Sequence, residues 1–157
     1  MRLILVLMAL LVPGLAHAQL EDLRTPQMAV TEAWTMATDR VTRTAGAYLT
    51  LTNPTDVDDA LVAATSNAAE KVQLSTLEKL PSGILSLMGL KEISLPAKTT
   101  VTLQPGGLHL LLVGLYRPLD VGMEVPLTLT FRNARTQHVR VRIQGPAPKA
   151  VLEPNTR

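Results

Sequence analysis

The chain has 157 residues, a formal net charge of +2 and no cysteine, and its aromatic residues are Trp34, Tyr48, Tyr116 and Phe131. Without cysteine there is no disulfide, no thiolate ligand, no thiol redox chemistry and no acceptor for an amino-terminal lipid. Acidic and basic residues are interspersed, with no basic stripe carrying stacking aromatics, so nucleic acid is excluded as a partner class.

Residues 1–18 read as an export signal. Arg2 supplies the positive charge, Leu3 to Val12 the apolar run, and Ala16-His17-Ala18 a small-x-small cleavage site. Cleavage after Ala18 leaves Gln19 first. No later segment reaches the roughly 20 consecutive apolar residues of a spanning helix, so no membrane span is expected. About 140 residues remain, enough for one domain to bury on the order of two thirds of its unfolded surface. That domain is expected over residues 19–144. Residues 145–157, G-P-A-P-K-A-V-L-E-P-N-T-R, form a proline-rich tail with little to bury, expected to be flexible.

Gln19 to Gln27 has no clear period and reads as a loosely held entry segment. Met28 to Met36 is ambiguous between strand and short helix, and a strand is favoured, with Val30, Glu32 and Trp34 on one face. Over Thr44 to Asn53, Tyr48, Thr50 and Thr52 alternate with Leu49 and Leu51, a half-buried strand ended by the Asn53-Pro54-Thr55-Asp56 turn. Asp56, Asp58 and Asp59 lack the glycine and glutamate that complete an EF-hand loop, so they read as a solvated turn.

Leu61 to Thr65 is the next strand, and Asn67 to Glu70 a connection. Lys71 to Leu77 follows, placing Gln73, Ser75 and Leu77 on one face and Val72, Leu74 and Thr76 on the other. Pro81-Ser82-Gly83 turns the chain into Ile84 to Leu90, where Leu85, Leu87 and Gly89 oppose Ile84, Ser86 and Met88. Ile93 to Leu95 and Thr100 to Leu103 lead to Gln104–Leu115, Q-P-G-G-L-H-L-L-L-V-G-L. There His109 shares a face with Leu111 and Val113, and Leu110 and Leu112 take the other. With both faces apolar the strand is expected in a packed interior, its imidazole either a satisfied core group or part of a site. Val125 to Phe131 alternates cleanly, and His138 to Ile143 puts His138, Arg140 and Arg142 on a charged, solvent-facing side. Short strands with Gly, Pro and Asn turns and no long amphipathic helix predict an all-β antiparallel sandwich.

In chain order, A-W-T-M-A-T (Ala33 to Thr38), T-A-G-A-Y-L-T-L-T-N (Thr44 to Asn53), A-A-E-K-V-Q-L (Ala68 to Leu74), P-G-G-L-H-L (Pro105 to Leu110) and V-P-L-T-L-T-F (Val125 to Phe131) resemble the periplasmic copper chaperones called PCu(A)C. The resemblance implies a cupredoxin-like sandwich, a periplasmic location and copper(I) carriage toward respiratory oxidase assembly. The implied partner is another periplasmic copper protein or an oxidase assembly factor. It also implies a ligand set of histidines and methionines, which suit copper(I) because thioethers and imidazole are soft.

In this sequence the family's early histidine falls on Ser75, its methionines on Leu77 (or Thr76) and Leu87, and its closing His-x-Met pair on His109 and Leu111. Only His109 keeps the ligand type. The chain thus resembles a degenerate member with copper binding weakened or lost. Leucine conserves the volume of methionine, so the fold is expected to survive the loss as an aliphatic pocket holding one imidazole and one hydroxyl. Met88 adjoins Leu87 but points the other way unless a bulge shifts the register. Lys71, Lys79, Lys91 and Lys98 flank the implied site and could face an acidic partner. The competing reading is a metal-free periplasmic interaction module. Catalytic motifs of the G-x-S-x-G, H-E-x-x-H or phosphate-loop kind are absent, so no enzyme is expected.

Overall fold

The computed structural model describes residues 27–145. The expected signal peptide, and the tail beyond Gly145, lie outside the described residues. Ten strands follow in chain order: β1 Ala29–Met36, β2 Thr44–Thr52, β3 Asp59–Thr65, β4 Ala69–Lys79, β5 Leu85–Gly89, β6 Ile93–Leu95, β7 Thr100–Leu103, β8 His109–Leu115, β9 Glu124–Phe131 and β10 Gln137–Gln144. No helix among the described residues is long and apolar enough to cross a membrane.

The strands form one continuous path, β5-β4-β8-β2-β1-β10-β9-β3-β6, with β7 paired to β2. The all-β cupredoxin-like sandwich expected from the sequence is the fold observed, with one departure from antiparallel pairing. β1 meets β10 in parallel, Trp34 opposite Arg142 and Met36 opposite Gln144. The inner faces share one core, in which Leu49, Leu51, Leu110, Leu112, Leu129 and Val141 are each at most 1% exposed. Strict alternation produces this, since Leu49 and Leu51 of β2 point inward while Tyr48 and Thr50 stay half-buried on the outer face.

Several boundaries and faces differ from the sequence reading. Residues 69 and 70 already belong to β4, and 84 and 90 lie outside β5. Val30, Glu32 and Trp34 do not share a face. Thr31 opposes Thr50 and Trp34 opposes Tyr48, so β1 carries one residue more than β2 over this stretch, and the bulge leaves Glu32 at a φ of 52°. Val30 thus pairs with Leu51 and Trp34 with Tyr48, on opposite faces of β2. On β8, Leu111 and Val113 are only half-buried, so this strand has one core face and one partly open face, where the sequence suggested two packed ones. Gly114, at a φ of 71°, shifts the alternation so that Leu115 returns to the core after Leu110 and Leu112.

Asp59 is the largest correction. It is not part of a solvated turn but opens β3, 4% exposed. Its carboxylate accepts the backbone N–H groups of Ala60 (2.7 Å), Asn133 (3.0 Å) and Ala134 (2.8 Å), tying β3 to the loop after β9. Asp58 and Asp56 stay outside, accepting from Ala97 N–H and pairing with Lys98 at 3.2 Å respectively. Beside them Asn53, fully buried, donates to Val57 O and Leu95 O and accepts from Thr55, which makes the turn after β2 part of the core.

Asp59→Ala strands three N–H donors, two of them in buried bonds. It is expected to cost about 2–4 kcal/mol, read as a lower urea midpoint at unchanged m. Gly114→Ala places a Cβ at positive φ and 2.5 Å from Glu70 Cδ, and is expected to cost about 1–3 kcal/mol in the same assay.

Candidate metal centre

The site is built on three adjacent strands, β5, β4 and β8. Across β4 and β8, Ser75 stands directly opposite His109 and Gln73 opposite Leu111. Across β4 and β5, Leu77 stands opposite Leu87 and Ser75 opposite Gly89. Because i and i+2 share a face, His109, Leu111, Ser75, Leu77 and Leu87 all lie on the side of the sheet away from the core that takes Leu74, Leu110 and Leu112. Directly opposed residues have Cβ atoms about 4.5–5.5 Å apart, so Ser75 and His109 are immediate neighbours. Two strand spacings, about 10 Å, separate β5 from β8.

His109 is 6% exposed and Ser75 2%. The imidazole Nδ1 lies 2.8 Å from Gly107 O. A carbonyl oxygen only accepts, so Nδ1 carries the hydrogen of the neutral ring and Nε2 carries the lone pair. Among the described residues Nε2 has no hydrogen-bond partner. A ring held through Nδ1–H by a backbone carbonyl, with Nε2 left without a partner, is how proteins orient a metal-binding histidine.

Aromatic residues that the sequence reading left out of the site wall one side of it. The Tyr48 ring centroid lies 6.4 Å from that of His109, and Trp34 lies 4.6 Å from Tyr48. Tyr48 folds back along its own strand over Gly46, where an added Cβ would sit 2.5 Å from the phenol oxygen. Gly46 stands opposite Leu111, so this glycine is what lets the ring lie across the site face. Burial pushes the Tyr48 phenol above its ordinary pKa of 10.0. The signal in the sequence was the G-x-Y spacing, which places a glycine and an aromatic on one face of β2.

The expected aliphatic pocket is an open face. Leu87 is 51% exposed, and its neighbours Leu80, Ile84, Leu85 and Met88 are 41%, 64%, 63% and 43% exposed. The reason is position, since β5 is an edge strand with β4 as its one partner in the sheet. Met88 opposes Thr76 in an unbroken register, so no bulge brings its sulfur to the His109 face. Alternation puts Lys71 and Lys79 on the site face, whereas Lys98 pairs with Asp56. His138, on β10, bonds Thr128 at 3.0 Å and is exposed. Among the described residues no three of His, Cys, Asp or Glu cluster as a metal site. β4 and β8 set one imidazole, the Ser75 hydroxyl and the Gln73 amide on this face, with the Tyr48 phenol in its wall and no thioether or thiolate beside them.

Solved structures share this architecture. The copper-bound PCuAC domain from PmoF2 superposes with a TM-score of 0.65 at 24% identity, covering 78% of this chain and 96% of that domain. The solution structure of CuI-DR1885 from Deinococcus radiodurans superposes with a TM-score of 0.62 at 33% identity, covering 82% of this chain and 85% of that one. Among curated proteins, "Putative lipoprotein Lxx21020" of Leifsonia xyli subsp. xyli (strain CTCB07) is 37% identical over 86 residues, 54% of this chain and 51% of that protein. The chain thus matches about half the length of that relative. Residues 28–143 match the family described as "Putative lipoprotein LpqE-like", and the chain belongs to that family, on a PCuAC-like fold.

Proposed function

We propose that the protein is an exported copper chaperone-like protein whose own hold on copper(I) is weak and centred on His109 Nε2. Residues 1–18 would direct export to the periplasm, and residues 19–144 would form the carrier domain. The observation that carries the reading is the pinned imidazole: Nδ1–H on Gly107 O at 2.8 Å, with Nε2 free beside Ser75. The likeness to a copper-bound domain and to a copper(I) protein supports a copper context for the fold. Weakness follows from the donor set. A soft ion is held against competitors by several soft ligands, and this face offers one imidazole with a hard hydroxyl and amide.

The cargo would then be shared with a partner that completes the coordination, another periplasmic copper protein or an oxidase assembly factor. A second reading, a metal-free interaction module, draws on a different observation. Leu80, Ile84, Leu85, Leu87 and Met88 expose apolar surface around the β4–β5 hairpin, beside the charged Glu78 and Lys79, which suits contact with a protein more than retention of an ion.

Competition titration of copper(I) into the chain from Gln19 onward, against a chromogenic chelator, tests the first reading. The expected result is weak one-to-one binding that His109→Ala abolishes; equal behaviour of both proteins, with neither competing, leaves the interaction module. Leu87→Met combined with Leu111→Met returns two thioethers to the His109 face. That variant is expected to bind copper(I) about a hundredfold more tightly, on the order of tenfold per added soft ligand, in the same titration.

A further inference from the structure

On the far side of β1 from the His109 sheet, β1 and β10 separate. They pair only through Trp34–Met36 and Arg142–Gln144. Below that ladder, β1 from Ala29 to Thr31 is bonded to β2 alone, and β10 from Gln137 to Val141 to β9 alone. The facing edges therefore present backbone N–H and C=O groups to an open groove of about 750 Å³, lined by Thr31, Glu32 and Trp34 on one bank and Val139, Arg140 and Arg142 on the other. A second groove of about 680 Å³ continues it past Gln137 to Gln27 and Met28. Among the described residues the lower end is bridged by Gln137 Nε2–H to Met28 O at 2.8 Å and by Arg135 Nη2–H to Gln27 Oε1. The slot between bridge and ladder runs about five residues of β10, roughly 17 Å.

Two further features point to an occupant. Gln137 is 7% exposed, and its Oε1 accepts no hydrogen bond, a buried acceptor left wanting a donor in the wall of this groove. Glu32 sits at a φ of 52° in the bulge that bends β1 at the slot, a strained backbone of the kind that persists where structure over-determines it for a purpose.

We propose that this slot receives an extended acidic peptide segment of a partner protein, added as a short strand between β1 and β10. A peptide strand supplies N–H donors to Gln137 Oε1 and to the open carbonyls, and carbonyls to the open N–H groups; a simple anion supplies no donor. Charge selects acidic side chains. Arg140 and Arg142 project from one face of β10, whereas Arg135, beside the lower groove, is already engaged with Gln27 Oε1. The opposing carboxylates are Glu32, which accepts from Thr50, and Glu124, which holds Arg140 at 3.4 Å. Arg142 forms no ion pair among the described residues. Main-chain pairing gives such a segment affinity and the arginines give it preference.

The test uses the chain from Gln19 onward and an acetylated, amidated pentapeptide alternating valine and glutamate. Trp34, the sole tryptophan, lines the groove and reports occupancy by its emission, and amide NMR reports it at Val139 and the Gln137 side chain. Saturable changes at all three are expected, about tenfold weaker for Arg142→Glu, which is exposed and leaves the core intact, and lost when alternate peptide nitrogens are methylated. No saturable change overturns the proposal, as does equal binding of the methylated peptide. It also fails if sulfate or acetate reproduces the same shifts, which marks a simple anion site. Contacts from residues 19–26 to Val139 in the peptide-free chain would make the slot's occupant the protein's own leader-proximal segment, and would equally overturn it.

Discussion

The geometry of the His109 face depends on one atom, the carbonyl oxygen of Gly107. It accepts two donors, His109 Nδ1–H at 2.8 Å and Leu77 N–H at 3.2 Å, using both of its lone pairs. The first fixes the imidazole tautomer and aim; the second carries the β4–β8 ladder one step beyond the Ser75–His109 pair. The carbonyl is in place because the chain reverses over Gln104 to Leu108. Gly106 adopts a φ of 83° there, with Gln104 N–H on Leu108 O at 2.8 Å and Gly107 N–H on Gln104 O at 3.1 Å. A slip of one residue in this turn would send His109 into the core and Leu110 to the outer face. The Pro105-Gly106-Gly107 sequence is thus the register lock of the site.

How far the sequence exposed this is clear from particular residues. The two-residue period identified the strands and sorted Leu49 and Leu51 from Tyr48, and Ser75 and Leu77 from Leu74, because a half-buried strand must alternate. It could also place His109 with Leu111. It held no information on which strands adjoin, so the direct opposition of Ser75 to His109 rested on resemblance until the register was seen. Where alternation breaks, period-based reading fails. The bulge at Glu32 separates Val30 from Trp34, and Gly114 resets the face of Leu115, and neither leaves a hydropathy signal. Asp59 escaped for another reason: its burial is compensated by three N–H donors, two of them more than 70 residues away along the chain.

Carbon in place of sulfur at this face would be cheap for the fold. Leu77, Leu87 and Leu111 are not core residues; Leu111 and Leu77 are half-buried and Leu87 lies on an edge strand. A volume-conserving swap at such positions costs less than about 1.5 kcal/mol even when buried. Stability therefore exerts little pull on the identity of these side chains, and the sandwich stands whether or not they bind a metal. The imidazole differs, since a 6%-exposed His109 needs its Gly107 partner and would leave that carbonyl short if replaced by an aliphatic side chain. The burial and hydrogen bond of His109 thus account for an imidazole at this position without a metal.

The slot between β1 and β10 and the His109 face are joined by a wall of two rings. Trp34 lines the slot and packs on Tyr48 at 4.6 Å, and Tyr48 reaches to 6.4 Å from His109. Contiguity alone transmits nothing; coupling requires an element with two arrangements that both sites bias. Tyr48 has little room for a second one. Its phenol fills the space above Gly46, close enough that even a methyl group there would collide. Thr35, paired with Ala47 one step beyond the Trp34–Tyr48 pair, is fully buried and hydrogen-bonded to Gly46 O at 2.8 Å, which fixes β1 against β2 at this level. The aromatic wall thus separates the two sites more than it links them. The proposed binding in the slot and the proposed metal binding at His109 would then be independent, and a variant impaired in either would retain the other.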